Sequence, residues 1–217
     1  MKAPKINPDL AEVTGLLLGD GCLSHYYTSN GVERFEIAFT GYFREKEYYE
    51  KFVKKVFQKY FQVNGYLRLR NDNSVRYHVK HIDSFKFFKE LGVKVGEKKI
   101  VRLPGIIKSN PNLWVPFVRG IFDAEGSIYR RYSKKYKGHT KTYNNLLVAQ
   151  IKMNCSLSFM SFIKSVLNKY HIKSNKITQI GPTQILRITH QKEILKFLKI
   201  FNPKVKNAPL DTRRYTL

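Results

Sequence analysis

Acidic residues are scarce in this sequence, which carries 16 Asp and Glu against 40 Lys and Arg and has a formal net charge of +24. A folded chain with so large an excess of one sign repels itself unless an anionic partner lies beside it. Nucleic acid is the commonest such partner, because basic side chains release the counterions that phosphates condense. The composition therefore favours nucleic-acid binding over the two alternatives, a basic surface protein or a protein that binds anionic membrane.

Cysteines and long apolar runs are also few. The two cysteines, Cys22 and Cys155, lie far apart and outside metal-ligand spacing, which argues against a disulfide framework and a zinc site and favours a reducing, intracellular compartment. No apolar run approaches the ~20 residues that a bilayer span requires. Residues 1–5 lack the apolar stretch of a secretory signal. Apolar residues still make up 42% of the 217 residues, which is enough to expect a globular core.

The clearest feature that is present is an internal near-duplication. An Asn-Pro pair at positions 7–8 returns at 110–111, and each pair is followed by an apolar stretch that ends in a small residue, an acid and glycine. The first stretch, 13–21, reads VTGLLLGDG, and the second, 118–126, reads VRGIFDAEG. Because the copies lie about half a chain apart, they indicate two copies of one structural unit.

Each apolar stretch predicts a helix that begins at Asn-Pro and ends at a glycine in the left-handed conformation. Pro116 is expected in the first turn of the second helix. The order of predicted elements is then αββαββα, twice. The first copy has strands 22–28 and 33–40, helix 44–60, strands 65–70 and 75–80 and helix 84–91; the second has strands 127–132 and 146–153, helix 156–170, strands 176–179 and 184–189 and helix 192–201.

This order predicts an α+β fold of two pseudo-symmetric repeats, each a four-stranded antiparallel sheet with helices on one face. The expected boundaries are 1–91 for the first repeat, 92–110 for a linker and 111–217 for the second repeat with a basic tail.

One face of the predicted strands is basic. Arg68 and Arg70 alternate with leucines, and Arg76, His78 and Lys80 alternate with apolar residues in the next strand. The apolar face is expected to join the core and the basic face to stay open. A two-stranded ribbon of this kind fits the major groove of B-DNA, where every base pair presents a distinct set of donors and acceptors. An ordinary solvated sheet face is the alternative.

The two acids of the repeated stretches, Asp20 and Glu125, are predicted to form a metal site. Small residues four apart mark one face of each motif helix, so the helices can pack closely and bring their C-terminal ends together. A carboxylate is unfavourable at the negative end of a helix dipole, and a second carboxylate makes it more so. A divalent cation would resolve the conflict, and hard oxygen ligands suit Mg²⁺. For either acid alone, a turn dipeptide is the alternative.

Both stretches resemble the LAGLIDADG motif of homing endonucleases. The second is the closer match, with Asp123-Ala124-Glu125-Gly126 where the family has Asp-Ala-Asp-Gly, whereas the first departs at Leu18-Gly19 and keeps the acid. The resemblance covers the two motifs strictly and the αββαββα order loosely. It implies a monomer whose two saddle-shaped sheets straddle double-stranded DNA in the major groove about a pseudo-twofold axis. It also implies an intron-encoded nuclease that cuts each strand once, at a long and partly asymmetric site, and leaves short 3′ overhangs.

The resemblance implies a metal centre and two lysines beside it. Asp20 and Glu125, with the backbone at Gly19 and Ala124, would hold Mg²⁺ or another divalent cation such as Mn²⁺ or Ca²⁺. A basic residue beside the scissile phosphate would be supplied by the lysines that follow each repeat, Lys98 and Lys206. For Lys98, which stands among other charged residues, a solvated surface charge is the alternative.

The resemblance also implies which residues contact DNA. The strands would read bases, and a basic hairpin over 130–141 would clamp phosphates, which fixes position without reading sequence. The expected DNA-binding residues are Ser24, Tyr26, Thr28, Arg34, Glu36, Arg68, Arg70, Arg76, His78, Lys80, Tyr129, Arg131, Ser133, Lys134, Lys135, Lys137, Gln150, Lys152, Lys176 and Arg187.

The predicted function is therefore site-specific cleavage of double-stranded DNA with a divalent metal, in an intracellular protein that works where DNA is found. The main alternative is a non-catalytic nucleic-acid binder on the same scaffold, either an RNA maturase that aids intron splicing or a transcriptional regulator. Retention of both acids favours the enzyme. A basic ribosomal or chromatin protein is a third interpretation, which leaves the duplicated acids unexplained.

Overall fold

A computed structural model describes residues 4–134 and 141–206, with side chains for all of these except 132–134 and 141–145. Two successive units carry the same order of helices and strands, and each has a four-stranded antiparallel sheet. The predicted α+β class and the duplicated order of elements are confirmed.

The first repeat comprises α1 (Pro8–Asp20), β1 (Gly21–Tyr27), β2 (Glu33–Tyr42), a helical segment α2 (43–61), β3 (Tyr66–Leu69), β4 (Ser74–Val79) and α3 (Ile82–Glu90). A short helix α4 (Gly105–Ser109) lies within the stretch that the sequence suggests as a linker. The second repeat comprises a 3₁₀ turn (Pro111–Leu113), α5 (Trp114–Glu125), β5 (Gly126–Lys134), β6 (Lys141–Asn154), α6 (Leu157–Lys169), β7 (Thr178–Ile180), β8 (Thr183–Ile188) and α7 (Gln191–Phe201).

Both sheets have the same strand order, β1-β2-β4-β3 in the first repeat and β5-β6-β8-β7 in the second, and every pair is antiparallel. In the first sheet Ile37, Phe39 and Tyr77 point into the core and are almost wholly buried. Because side chains alternate along a strand, their neighbours face the other way and leave one polar face on each sheet.

The two motif helices begin as predicted. The Asn7 side chain caps α1 by accepting a hydrogen bond from the Leu10 amide at 3.2 Å, and Pro8 occupies the first helical position. Asn110 caps the 3₁₀ turn that precedes α5, and Pro116 falls in the first turn of α5. Proline is tolerated there because a first-turn amide has no intrahelical partner.

The glycines that end the motif helices do not adopt the left-handed conformation, so this prediction is wrong. Gly21 has φ −103° and Gly126 has φ −86°, both extended, and each glycine leads directly into a strand. A side chain here would collide with the preceding helical turn, because a Cβ on Gly21 would lie 2.8 Å from the Leu17 Cα. Glycine is needed at these positions for close approach of the backbone.

The motif helices α1 and α5 pack backbone to backbone. A Cβ on Gly120 would lie 2.9 Å from the Leu16 amide nitrogen and still closer to the Glu12 carbonyl oxygen, and a Cβ on Gly15 would lie 2.9 Å from the Ile121 amide nitrogen. Such distances exclude any side chain at these positions. The predicted packing of small residues is therefore present, and the helix pair forms the seam between the repeats.

Three other details differ from the sequence-based expectation. The helix predicted over 44–60 contains a π-helical turn at Tyr49–Val53, which moves Tyr49 and Val53 into the core beside Tyr48. Leu69, expected to feed the core, is 57% exposed because β3 is a short edge strand near a hairpin. The strand predicted from Lys176 begins only at Thr178. Within the described ranges, no helix combines the length and apolar character that crossing a bilayer needs.

Candidate active site and nucleic-acid interface

The C-terminal ends of α1 and α5 meet, and this brings the two motif acids to one place. A Cβ on Gly19 would lie 3.0 Å from Glu125 Cγ and even closer to the Ala124 side chain. Asp20 and Glu125 therefore project from adjacent helix ends, as predicted. Both are partly buried, and no hydrogen bond from the described part of the chain lowers the pKa of either carboxyl.

Both carboxyls resist ionisation in the metal-free protein. Burial and the negative charge of Glu125 raise the pKa of Asp20 from its ordinary 3.8 to about 7, although the Lys206 charge opposes this shift. Burial also raises the pKa of Glu125, against the lowering effect of Lys98 and Lys206. Carboxyl groups in this state gain from a bound cation, because it repays the cost of their charge.

This donor set fits a hard divalent cation. In the described part of the chain no cluster of three or more His, Cys, Asp or Glu side chains is placed to hold a metal. The acid pair could supply two oxygen ligands, and Mg²⁺ commonly takes one or two protein carboxylates and completes its shell with waters and phosphate oxygens. The backbone carbonyls of Gly19 and Ala124, predicted as further ligands, belong to the same helix ends, but the Gly19 carbonyl oxygen already accepts a hydrogen bond from Lys98 Nζ at 2.7 Å.

Lys98 caps α1 from a segment that touches both repeats. Its ammonium donates to the carbonyl oxygens of Leu17, Leu18 and Gly19 at 2.9, 2.8 and 2.7 Å. The segment is held on one side by a hydrogen bond from the Gly96 amide to β1, and on the other by pairing of Val101 with the end of β6.

Lys98 thus lies between the repeats, and burial lowers its pKa. With Glu125, Lys152, Asn154 and Thr183 it lines a cavity of about 260 Å³, so it is placed beside the acid of the second repeat.

Lys206 occupies the corresponding place after the second repeat. The Asp123 carboxylate accepts hydrogen bonds from the backbone amides of Lys204, Val205 and Lys206 at 2.9, 2.8 and 3.2 Å, which holds the strap, residues 202–206, against α5. The Lys206 ammonium then reaches the first repeat, where it donates to Glu45 Oε1 at 3.1 Å. Lys206 therefore hydrogen-bonds across to the first repeat, whereas Lys98 hydrogen-bonds to its own repeat and lines a cavity beside Glu125.

A buried ionic cluster joins the repeats behind the acid pair. Glu12 of α1, 2% exposed, pairs with Arg119 at 2.8 Å and with Lys204 at 2.7 Å, and it accepts a hydrogen bond from the Tyr48 hydroxyl at 3.0 Å. Sequence reasoning missed Glu12, Asp123 and the strap. A signal existed, because a glutamate at a position facing the partner helix requires a cation nearby.

The predicted DNA-binding residues of the first sheet share one face. The pairs Ser24 with Glu36, Tyr26 with Arg34 and Arg68 with Arg76 place these side chains on the same side. His78 joins them next to Arg76 on β4. Thr28, Arg70 and Lys80 directly follow strands of this sheet. This face has a concave surface along β3 and β4 that encloses a volume of about 570 Å³. It is lined by Arg68, Arg70, Arg76, His78 and their neighbours.

Part of this face is occupied by a buried polar network. His78 is only 7% exposed, because the Tyr66 ring stacks on it at 5.0 Å and Glu36 binds its Nδ1 at 2.8 Å. Glu36 also accepts a hydrogen bond from Tyr26 at 3.1 Å. Burial opposes ionisation of Glu36, but these hydrogen bonds outweigh burial and lower its pKa. Among the described atoms, Arg76 Nε and His78 Nε2 are buried without a hydrogen-bond partner.

The second sheet has a corresponding polar face that is less basic. Gln150 accepts a hydrogen bond from Arg187 Nε at 2.9 Å, and Tyr129 and Lys152 lie on the same side. Arg131 and Lys176 are exposed at the ends of this surface. The side chains of Ser133 and Lys134, and the whole of Lys135 and Lys137, lie outside the described residues.

Comparison with known proteins relates the second repeat to a protein family. The sequence profile described as LAGLIDADG endonuclease matches residues 118–215. No curated protein matches the chain by sequence.

Several solved structures share the fold. The homing endonuclease I-DmoI, in mesophilic variants, superimposes with a TM-score of 0.63 at 15% identity, over 91% of this chain and 97% of that one. I-DmoI in complex with DNA and Ca superimposes with a TM-score of 0.64 at 14% identity, over 96% of each chain. The LAGLIDADG meganuclease I-AabMI bound to uncleaved DNA gives 0.58 at 14% identity, over 91% of this chain and 83% of that one.

These similarities agree with the duplicated motifs and with the meeting of two acids at packed helix ends. The second repeat therefore matches the LAGLIDADG endonuclease profile, and the whole chain shares the fold of solved LAGLIDADG homing endonucleases.

Proposed function

We propose that this protein is a homing endonuclease that hydrolyses both strands of double-stranded DNA at a specific site, with divalent metal, and leaves short 3′ overhangs. The observation that carries the proposal is the placement of Asp20 and Glu125 at adjacent helix ends in a strongly basic two-sheet protein. We take residues 1–91 and 111–217 as the repeats, 92–110 as the linker, and the monomer as the working unit on a long, partly asymmetric site.

In this proposal each residue of the centre has a role that its position supports. Asp20 and Glu125, with the carbonyl oxygens of Gly19 and Ala124, hold Mg²⁺ or another divalent cation. Such cations polarise the scissile phosphates and activate water. Lys98 and Lys206 place positive charge on either side of the acid pair, where they stabilise the extra negative charge of the phosphate in the transition state.

The polar faces of the two sheets contact DNA in this proposal. Arg70 is exposed and Arg76 is partly exposed on the first face, and both line its concave surface. Arg68 lines the concave surface beside them, and an arginine at a base edge reads guanine through its O6 and N7 acceptors. Gln150 and Arg187 supply a similar hydrogen-bonded pair on the second face.

The test starts by selecting cleaved sites from a randomised duplex library in the presence of Mg²⁺. On the selected site we expect Asp20→Asn to retain DNA binding and to lose cutting of at least one strand, because it removes a metal ligand and keeps the size of the side chain. Strand-specific labels on a gel measure the cutting, and a mobility shift without metal measures binding.

Asp83→Asn, which changes an exposed acid on α3, is the matched control and should cut normally. Full cleavage of both strands by Asp20→Asn would refute the assignment. DNA or RNA binding by the wild-type protein with no cleavage at any selected site would instead indicate a non-catalytic nucleic-acid binder.

A further inference from the structure

A third carboxylate lies near enough to Asp20 to act on its charge, and no role proposed above uses it. Glu45, at the start of α2, is 3% exposed, and its charge contributes to the raised pKa of Asp20. Its Oε2 accepts a hydrogen bond from the Tyr42 amide at 3.2 Å, and its Oε1 accepts one from Lys206 Nζ at 3.1 Å. Both oxygens are therefore engaged, one in its own repeat and one with the other repeat.

The ammonium that Glu45 binds is held at both ends. The backbone of Lys206 is fixed by Asp123, and the side chain, 15% exposed, ends at Glu45. A lysine side chain has four rotatable bonds and loses rotamer freedom when it is held in one position. The carboxylate therefore selects one of many positions for this charge.

The corresponding lysine of the other half is held differently. Lys98 is fixed by three carbonyl oxygens of α1, and the described residues give it no carboxylate within ion-pair distance. The cavity on its side adds Lys152 beside Glu125 and has no acid other than Glu125 among its lining residues. The two halves of the centre are thus chemically unequal although their folds match.

We propose that Glu45 is a positioning residue that fixes the Lys206 ammonium on the Asp20 side of the centre, and that it supports cutting of one DNA strand more than the other. This inference rests on the proposed nuclease function. The carboxylate contacts Lys206 and not the reacting atoms, so its effect passes through the lysine.

The substitution Glu45→Gln tests the contact with little change in size. An amide has only one oxygen, whereas the Tyr42 amide and the Lys206 ammonium are both donors and each needs an acceptor. If the glutamine oxygen keeps the bond to Tyr42, its NH₂ group faces the ammonium, and the lysine loses its anchor.

The experiment is a single-turnover cleavage assay with Mg²⁺ on a duplex whose two strands carry different labels. The variants are wild type, Glu45→Gln, Lys206→Met and the double variant. We expect Glu45→Gln to slow one strand by about tenfold and the other by less than threefold, while the Kd for DNA without metal stays within twofold. Because Glu45 acts through Lys206, the double variant should be no slower than Lys206→Met.

Glu47→Gln, an exposed glutamate in the same helical segment, is the matched control and should cut like wild type. Three results would overturn the inference. Glu45→Gln could slow both strands equally, it could slow neither strand, or the double variant could be slower than Lys206→Met by the full effect of Glu45→Gln.

If Glu45→Gln does not fold, Lys206→Met alone decides. This variant should slow the cutting of one strand by at least about tenfold more than the cutting of the other, and equal slowing of both strands overturns the proposal. If the wild-type protein cuts no selected site, the proposed nuclease function itself is refuted. That outcome differs from cutting without strand bias, which refutes only the role of Glu45.

Discussion

Asp20 is the residue at which function and stability conflict most clearly. Its ordinary pKa is 3.8, and burial together with the Glu125 charge raises it to about 7 in the metal-free fold. The folded protein therefore holds a proton that the unfolded chain releases between about pH 4 and pH 7. In that window the folded state binds more protons than the unfolded chain, so the free energy of unfolding falls as pH rises. The stability that protonated Asp20 contributes is fully present only below its unfolded pKa of 3.8.

Asp20→Asn should remove this loss. At pH 4 the variant and the wild type should melt at similar temperatures without metal, and by pH 8 the variant should melt several degrees higher, since ~1 kcal/mol corresponds to roughly 2–4 °C for a chain of this size. Thermal unfolding followed by circular dichroism in EDTA measures the difference. Asp83→Asn should keep the wild-type pH dependence, and a constant offset for Asp20→Asn at all pH values would contradict the raised pKa.

Arg68 is the best single test of base reading. It is exposed, lies opposite Arg76 in the register and lines the concave surface of the first sheet. Arg68→Ala should weaken binding to the selected site by about 1–3 kcal/mol and relax preference at one base position, if it reads a guanine. Competition binding against single-base variants of the site measures this. Uniform weakening against every sequence would assign it to a phosphate instead.

At the scale of residues, the sequence identified the acids and the face of the sheet but not their neighbours. Asp20 and Glu125 were visible because they repeat in matched context. Glu45 and Asp123 were not assigned, because their partners are a lysine and three backbone amides 81 to 161 positions away along the chain. Glu36 and His78 were expected to face DNA, but their burial depends on a stacking tyrosine that alternation of polar and apolar residues cannot reveal.

The two motif helices are the element on which the site depends, since their contact sets where both acids lie. Their approach is limited by backbone atoms, because a Cβ on Gly120 would meet the Glu12 carbonyl and the Leu16 amide. A backbone cannot move aside as a flexible side chain can. Any side chain here must separate the helices, and the acids at their ends would separate with them.

Gly120→Ala should therefore be strongly destabilising. Overpacking costs about 1–3 kcal/mol or more, which corresponds to a fall in Tm of roughly 2–12 °C at this chain length. Gly105→Ala is the matched control, because nothing lies within 4 Å of the position a Cβ would take and its φ is negative. We expect it to be neutral or slightly stabilising. Equal melting temperatures for the two variants would contradict the close packing.

At the scale of elements, periodicity and turn signals located the helices and strands to within a few residues. The small-residue faces also predicted the packing of α1 on α5. The closing glycines were misassigned because a helix followed directly by a strand needs room against its last turn and not a left-handed residue. The π-helical turn in α2 escaped prediction because two adjacent apolar stripes, one through Tyr48 and one through Tyr49, are compatible with the same sequence.

The whole molecule is dominated by its positive charge of +24. If the protein neutralises 6–10 phosphates, its affinity for DNA should fall by about 10³–10⁵ between 50 and 200 mM salt. Titration by fluorescence anisotropy at several salt concentrations measures the slope. An affinity nearly independent of salt would show that the surplus charge serves something other than phosphate contact.

The repeat architecture of the whole was readable from the sequence because the duplication is explicit. The contacts of the two segments that carry Lys98 and Lys206, the linker and the strap, could not be read from the sequence, since they depend on where each segment leaves its helix. The linker pairs with both sheets at Val95 and Val101, and the strap is held by Asp123. Each of these contacts joins positions more than 50 residues apart along the chain, so local sequence carries little sign of them.

The cluster around Glu12 limits how this protein can be recombined with its relatives. A hybrid that joined its first half to the second half of another protein with this fold would bury a carboxylate whose countercharges, Arg119 and Lys204, had been left behind with the discarded half. Chimeras built from this scaffold should therefore carry both cations across with the new half, or exchange Glu12 for an apolar residue at the same time.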